Sequence, residues 1–140
     1  RRLGVLLQPS HVAYHTLDVF QHVAAAYLET GRLEAALPRI REAYGVKAKT
    51  MIDALNVSFP AGTIEFNQPD GGMFLWAKMA EGVDTYAFIK TAVDEGVIFV
   101  PGITFFPDAK RLNYLRLSFA TPSVLDIQEG VKRLARAIVD

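Results

Sequence analysis

Cysteine is absent from all 140 positions, which excludes disulfides and thiol chemistry and fits a reducing compartment, the cytoplasm. A charge excess is absent too: 15 Lys and Arg stand against 15 Asp and Glu. The basic footprint of a nucleic-acid binder is therefore missing. No apolar run reaches the about 18 residues of a membrane span, and no signal peptide is visible. There is no Gly-x-x-x-x-Gly-Lys phosphate loop, no nucleophile elbow, no Cys/His zinc spacing and no carboxylate pair marked out for acid-base work. An initial methionine is lacking as well. The chain opens "RRLGVLLQPS", which reads as a processed product or a piece of something longer.

What is present suits about one globular domain with a real core, since 51% of the residues are hydrophobic. Pro9-Ser10 is a helix-start signal with Ser10 as N-cap, and Ala13, Leu17, Phe20, Ala24 and Tyr27 then recur at helical spacing up to Gly31. Val12, Val19, Val23, Ala25 and Leu28 widen that helix's apolar coverage beyond one stripe, the mark of a helix that is normally covered. A short turn is expected over 32–36, then a long helix over about 37–55 with Pro38 in its first turn.

After Asn56 the texture changes. "TIEF" reads as a strand, "NQPDGG" as a turn, "MFLWAKM" as a strong strand with Phe74 and Trp76 facing away from Leu75 and Ala77. A helix is expected over 85–95, N-capped by Asp84 and stopped by Gly96. "VIFV" reads as a strand, "PGITFFPDAKR" as a loop, and "YLRLSF" as a strand. A final amphipathic helix is expected over 123–139, with Leu125, Ile127, Val131, Leu134 and Ile138 on or near one face. The expected class is α+β: a helical lead-in followed by a two-layer unit, its sheet mainly antiparallel and its helices on one face. The domain boundary falls at the change of texture, giving 1–56 and 57–140.

Within "NYLRLSFA", Leu115, Leu117 and Phe119 form one face, and Tyr114, Arg116 and Ser118 the other. A guanidinium in a sheet is costly unless something pairs with it. Two readings of Arg116 follow: an edge arginine that is exposed or ion-paired, or a clamp whose planar fork matches two carboxylate oxygens. The strand alone leaves both open. "PDGGMFLW" is a turn and strand rather than a phosphate cradle, because no helix follows it. "VIFVPGITFF" is either a plain connection or a strand delivering a binding loop. His11, His15, Asp18 and His22 line one helix face, spaced for a metal or for a solvated or subunit-facing surface. "HVAYH" carries no glutamate in the metalloprotease position.

Taken in order, "GRLEAALPRIREAYGVKAKTMIDAL", "PDGGMFLWAKM", "GVIFVPGITFF" and "NYLRLSFA", followed by an amphipathic helix, resemble the C-terminal part of the fold-type I, class I/II pyridoxal-phosphate aminotransferases. The 2-aminoadipate and aromatic aminotransferases are the subgroup in view, and the resemblance covers nearly the whole chain. It implies a pyridoxal 5'-phosphate enzyme of amino-acid metabolism that moves an amino group between an α-amino acid and an α-keto acid, as a homodimer. It implies that residues 1–56 are helices of the large domain and the interdomain helix, and that 57–140 are the small domain. It also assigns Arg116 to the substrate's α-carboxylate, which fixes the Cα–H bond relative to the cofactor ring, and brings Phe105 near the substrate's side chain.

The family's Schiff-base lysine lies in a Ser/Thr-rich segment upstream of the matched part. Lys47, Lys49, Lys78, Lys90, Lys110 and Lys132 stand in no such segment. No catalytic residue, cofactor ligand or metal ligand is therefore assigned within this chain, which alone is expected to be inactive and to hold no cofactor. Two other readings remain: the aminotransferase-like sensor domain of a winged-helix transcription regulator, and a stand-alone amino-acid-binding module.

Overall fold

The computed structural model describes residues 11–108 and 110–139. Their contacts divide into two units, one ending at Ile40 and one beginning at Arg41, and each is taken by itself.

The first unit carries helix α1, His11–Glu29, and the opening turns of helix α2, Arg32–Ser58. Ser10 lies outside the described residues. Gly31 ends α1 as its sequence position suggests, with φ at 67°. Val19, Phe20, Val23, Tyr27 and Leu28 remain between 46% and 66% exposed along α1. The turn expected at 32–36 is instead helix, and α2 runs unbroken through Pro38. Proline removes one hydrogen bond, the one Glu34 would accept. Both residues are exposed, so the break falls on the solvent side of the helix.

The second unit is a two-layer α+β structure. Strands β1 (Ile64–Phe66), β2 (Phe74–Met79), β3 (Val100–Pro101) and β4 (Tyr114–Ser118) form one sheet in the order β1-β2-β4-β3, with every pairing antiparallel. The inner face carries Leu75, Ala77 and Met79 from β2 and Leu115 and Leu117 from β4, all buried, with Phe119 just beyond. Against it pack Met51 and Leu55 of α2, Ala92 of helix α3 (Thr85–Asp94), and Ile127, Val131 and Leu134 of helix α4 (Val124–Val139). The strict alternation of β2, with Phe74 and Trp76 outward and Leu75, Ala77 and Met79 inward, is the period-2 pattern the sequence predicts.

Local chemistry sets the helix ends. Asp84 accepts hydrogen bonds from the backbone N–H groups of Tyr86 and Ala87, and Gly96 at φ 77° follows the last turn of α3. Ser123 Oγ donates to Asp126 Oδ2 at 2.7 Å and accepts from the Asp126 N–H at 3.1 Å, a reciprocal cap on α4.

Three more expectations need correction. Val97 to Phe99 are not strand: Val97 donates to Ala92 O at 2.8 Å in the helix stop, so β3 shrinks to Val100–Pro101. The Pro-Gly segment is not open loop throughout, because Gly102–Phe105 coil into a 3₁₀ turn. Leu125 is 75% exposed, since it lies two residues, roughly 200°, away from the Ile127–Val131–Leu134 stripe.

Candidate functional site

Among the described residues of this unit the core's α-helices pack on the inner face of the sheet, and the outer face is crowded with rings. Register explains the grouping. Antiparallel partners share a face, and Arg116 pairs with Trp76 on one side and Val100 on the other, while Phe74 pairs with Ser118 and Lys78 with Tyr114. Arg116 thus lies on an interior strand rather than at an edge.

The Pro-Gly turn adds two more rings. Pro101 is in register with Leu115, and Gly102 lies flush against the Tyr114 backbone. The 3₁₀ turn that follows delivers Phe105 and Phe106 over the sheet. Trp76 meets Phe105 edge-on at 5.4 Å and Phe106 at 5.9 Å, and it stacks on Tyr114 at 5.8 Å. Phe106 meets Tyr114 at 5.1 Å, and Arg111 lies 4.9 Å from the Phe106 ring centre.

Arg116 lies at one side of this cluster. Its guanidinium carbon is 4.2 Å from the Phe74 ring centre and 5.0 Å from that of Phe105. Among the described residues it joins no ion pair and no side-chain hydrogen bond; the ion pairs belong to Lys49, Lys78, Arg133 and Arg136. A cation held by ring faces keeps its N–H donors, because an aromatic ring attracts the charge without occupying the in-plane fork. The arrangement therefore suits capture of a planar anion, with carboxylate as the geometric match. Three cavities, of about 250, 320 and 400 Å³, are lined without Arg116.

The structure brings together the two residues singled out from the sequence, Arg116 and Phe105, through a direct cation–π contact. His22 Nδ1 donates to its own helix, to Asp18 O at 2.7 Å, and the described residues hold no cluster of three metal-ligating side chains. The side chains of His11 and His15 lie outside what is described. Sequence reading does not join Phe74 to Arg116; only the β2–β4 register does. It also passed over Thr85, whose buried hydroxyl lies 2.8 Å from Leu112 O and 2.7 Å from Tyr114 O, and Asn113, whose amide donates to Met79 O at 2.8 Å. Both fix the start of β4 and hence the position of Arg116.

No protein-family profile matches the chain. The chain is 37% identical over 138 residues to aromatic-amino-acid aminotransferase 1 of Thermococcus litoralis, a match covering 99% of this chain and 32% of that protein. It is 38% identical over 124 residues to the 2-aminoadipate transaminase of Thermus thermophilus, over 89% of this chain and 31% of that protein. The crystal structure of alpha-aminoadipate aminotransferase from Thermus thermophilus, complexed with N-(5'-phosphopyridoxyl)-L-leucine, matches with a TM-score of 0.77 at 37% identity, over 85% of this chain and 30% of that one. The HTH-type transcriptional regulator TauR of Rhodobacter capsulatus is 30% identical over 151 aligned positions, covering 98% of this chain and 30% of the regulator. The chain spans about a third of the length of these curated relatives.

Proposed function

The chain belongs to the pyridoxal-phosphate-dependent aminotransferases as a C-terminal part, and from that premise we propose that it supplies, through Arg116, the grip on the substrate's α-carboxylate in amino-group transfer between an α-amino acid and an α-keto acid. The observation that carries this reading is the guanidinium held between the Phe74 and Phe105 rings with no carboxylate partner among the described residues. Both substrates of a transamination bear the same α-carboxylate, so one fork serves both half-reactions. Two charge-assisted hydrogen bonds fix the carboxylate plane, and with it the direction of the Cα–H bond. Phe105, 48% exposed beside the fork, is where the substrate's side chain passes.

The described residues do not by themselves fit the cofactor. A Schiff-base lysine needs a free amine. Lys78, on the same sheet face as Arg116, is hydrogen-bonded to Glu81, which raises its pKa. Lys49 pairs with Asp53 at 2.6 Å, and Lys47 donates to Ala120 O at 2.8 Å. Lys90, Lys110 and Lys132 are exposed. The pyridoxal site is assigned to the remainder of the protein. Residues 1–56 are read as large-domain and interdomain helices and 57–140 as the small domain, in a cytoplasmic homodimer. No described helix is long and apolar enough to cross a membrane.

The test is Arg116→Ala in the intact protein, with kcat/KM expected to fall at least about 10-fold for every amino acid accepted. A second reading, the ligand-sensing domain of a transcription regulator, is favoured by the similarity to TauR. It makes the same use of Arg116 and is distinguished by a DNA-binding segment elsewhere in the protein.

A further inference from the structure

Phe74 is an exposed phenylalanine in a strand whose other outward apolar residue is otherwise engaged. Trp76 meets Phe105, Phe106 and Tyr114. Phe74 is 42% exposed, belongs to no aromatic pair among the described residues, and points away from the core. Among the described residues its ring meets the Arg116 guanidinium at 4.2 Å, a shorter approach than Phe105 makes at 5.0 Å. Core burial accounts only in part for a large apolar ring at that position, and ring stacking among the described residues does not account for it.

We propose that Phe74 is the positioning residue for Arg116: its ring, fixed on β2, holds the guanidinium by a cation–π contact and sets the direction in which the fork presents its donors. The inference rests on the reading of Arg116 as the carboxylate grip. The two rings differ in backbone setting. Phe105 rides on a 3₁₀ turn, whereas Phe74 is the first residue of strand β2 and lies opposite Ser118 in the β4 register. A ring placed by strand register suits pre-orientation. Arginine has many rotamers of similar energy, and any that leave the fork askew cost affinity each time a carboxylate binds. The ring removes those rotamers without contributing an acceptor that would compete with the ligand.

The experiment uses the intact protein and 3-phenylpropionate, a carboxylate without an amino group, titrated calorimetrically against wild type, Phe74→Leu, Phe74→Tyr, Arg116→Ala and the Phe74→Leu/Arg116→Ala double variant. Titrations run to concentrations at which the weakest variant still binds. Phe74→Leu is expected to raise Kd about 3- to 20-fold, the range of a partly desolvated cation–π contact. Phe74→Tyr, which keeps the ring, is expected to stay within about two-fold of wild type. In the Arg116→Ala background, Phe74→Leu is expected to change nothing further, because the residue acts only through Arg116. Should Phe74→Leu not fold, Phe74→Met, similar in volume and lacking a ring, takes its place with the same expectation. Wild-type affinity in the leucine or methionine variant overturns the proposal, as does an equal loss in both backgrounds, which is the pattern of a structural role. Wild-type affinity in Arg116→Ala overturns instead the reading on which the proposal rests.

Discussion

Gly102 lies against Tyr114 so closely that a side chain at this position would meet the Tyr114 carbonyl oxygen at 2.7 Å and its carbon at 2.8 Å. The obstacle is backbone of β4, which cannot rotate away. Gly102→Ala is therefore expected to destabilise the fold by about 2 kcal/mol or more, as overpacking against a fixed neighbour does. The melting temperature reads the loss. The change also displaces the turn carrying Phe105 and Phe106 from Trp76, the chain's single tryptophan, so its emission is expected to shift. Gly130→Ala in α4 is the control. Nothing lies within 4 Å of the added carbon, and helix propensity favours alanine by about 0.5–1 kcal/mol. Equal melting temperatures for Gly102→Ala and wild type would count against this packing.

The exposed face of α1 predicts association. Phe20, Val23 and Tyr27 recur at helical spacing and stay exposed, with Val19 and Leu28 beside them. Stripes of this kind are covered in folded assemblies. The 140-residue chain alone is expected to self-associate, and Phe20→Glu/Val23→Glu to restore the monomer mass in light scattering. A wild-type chain that stays monomeric at high concentration contradicts this.

The start of α4 predicts a pH dependence. Hydrogen bonds from the Ser123 hydroxyl and N–H lower the pKa of the Asp126 carboxyl. A depressed folded-state pKa means that the cap's contribution is fully present above the unfolded carboxylate's value and is lost as pH falls through the folded one. Asp126→Ala is expected to melt below wild type at neutral pH, and the gap to close in strong acid. The group is exposed, so the difference is small. A gap that widens on acidification contradicts the assignment.

Much of this was legible in the sequence, because alternation and caps are local. The faces of β2 and β4, the Asp84 cap and the glycine stop at Gly96 all follow from residues within a turn or two of each other. The site was legible in part. Arg116 stood out because a guanidinium in an apolar strand demands an explanation, and the ordered motifs gave it one through resemblance. Its setting did not, because β2 and β4 are not consecutive and their register is a long-range choice made by the core. Phe74 and Arg116 are 42 positions apart, and no local pattern joins them. The 3₁₀ turn was missed for the same reason: Gly102's need for closeness is set by Tyr114, across the sheet. Pro38 is the opposite case: the local rule against proline inside a helix yields where the lost bond lies on an exposed helix surface.

The central claim is that Arg116 grips the α-carboxylate. The most direct measurement takes one sample of Arg116→Ala in the intact protein and records steady-state kinetics, cofactor absorbance and melting temperature together. Losing one partner of a charge-assisted pair costs about 2–5 kcal/mol. At about 1.4 kcal/mol per decade, kcat/KM is expected to fall from about 30-fold to more than about 1,000-fold, alike for amino-acid and keto-acid substrates, with the cofactor spectrum unchanged. Arg116→Lys is expected to recover only part, since an ammonium lacks the planar fork. A folded, cofactor-loaded Arg116→Ala protein with near-normal kcat/KM would contradict the account, as would a fall in melting temperature and cofactor retention that leaves activity per folded molecule intact.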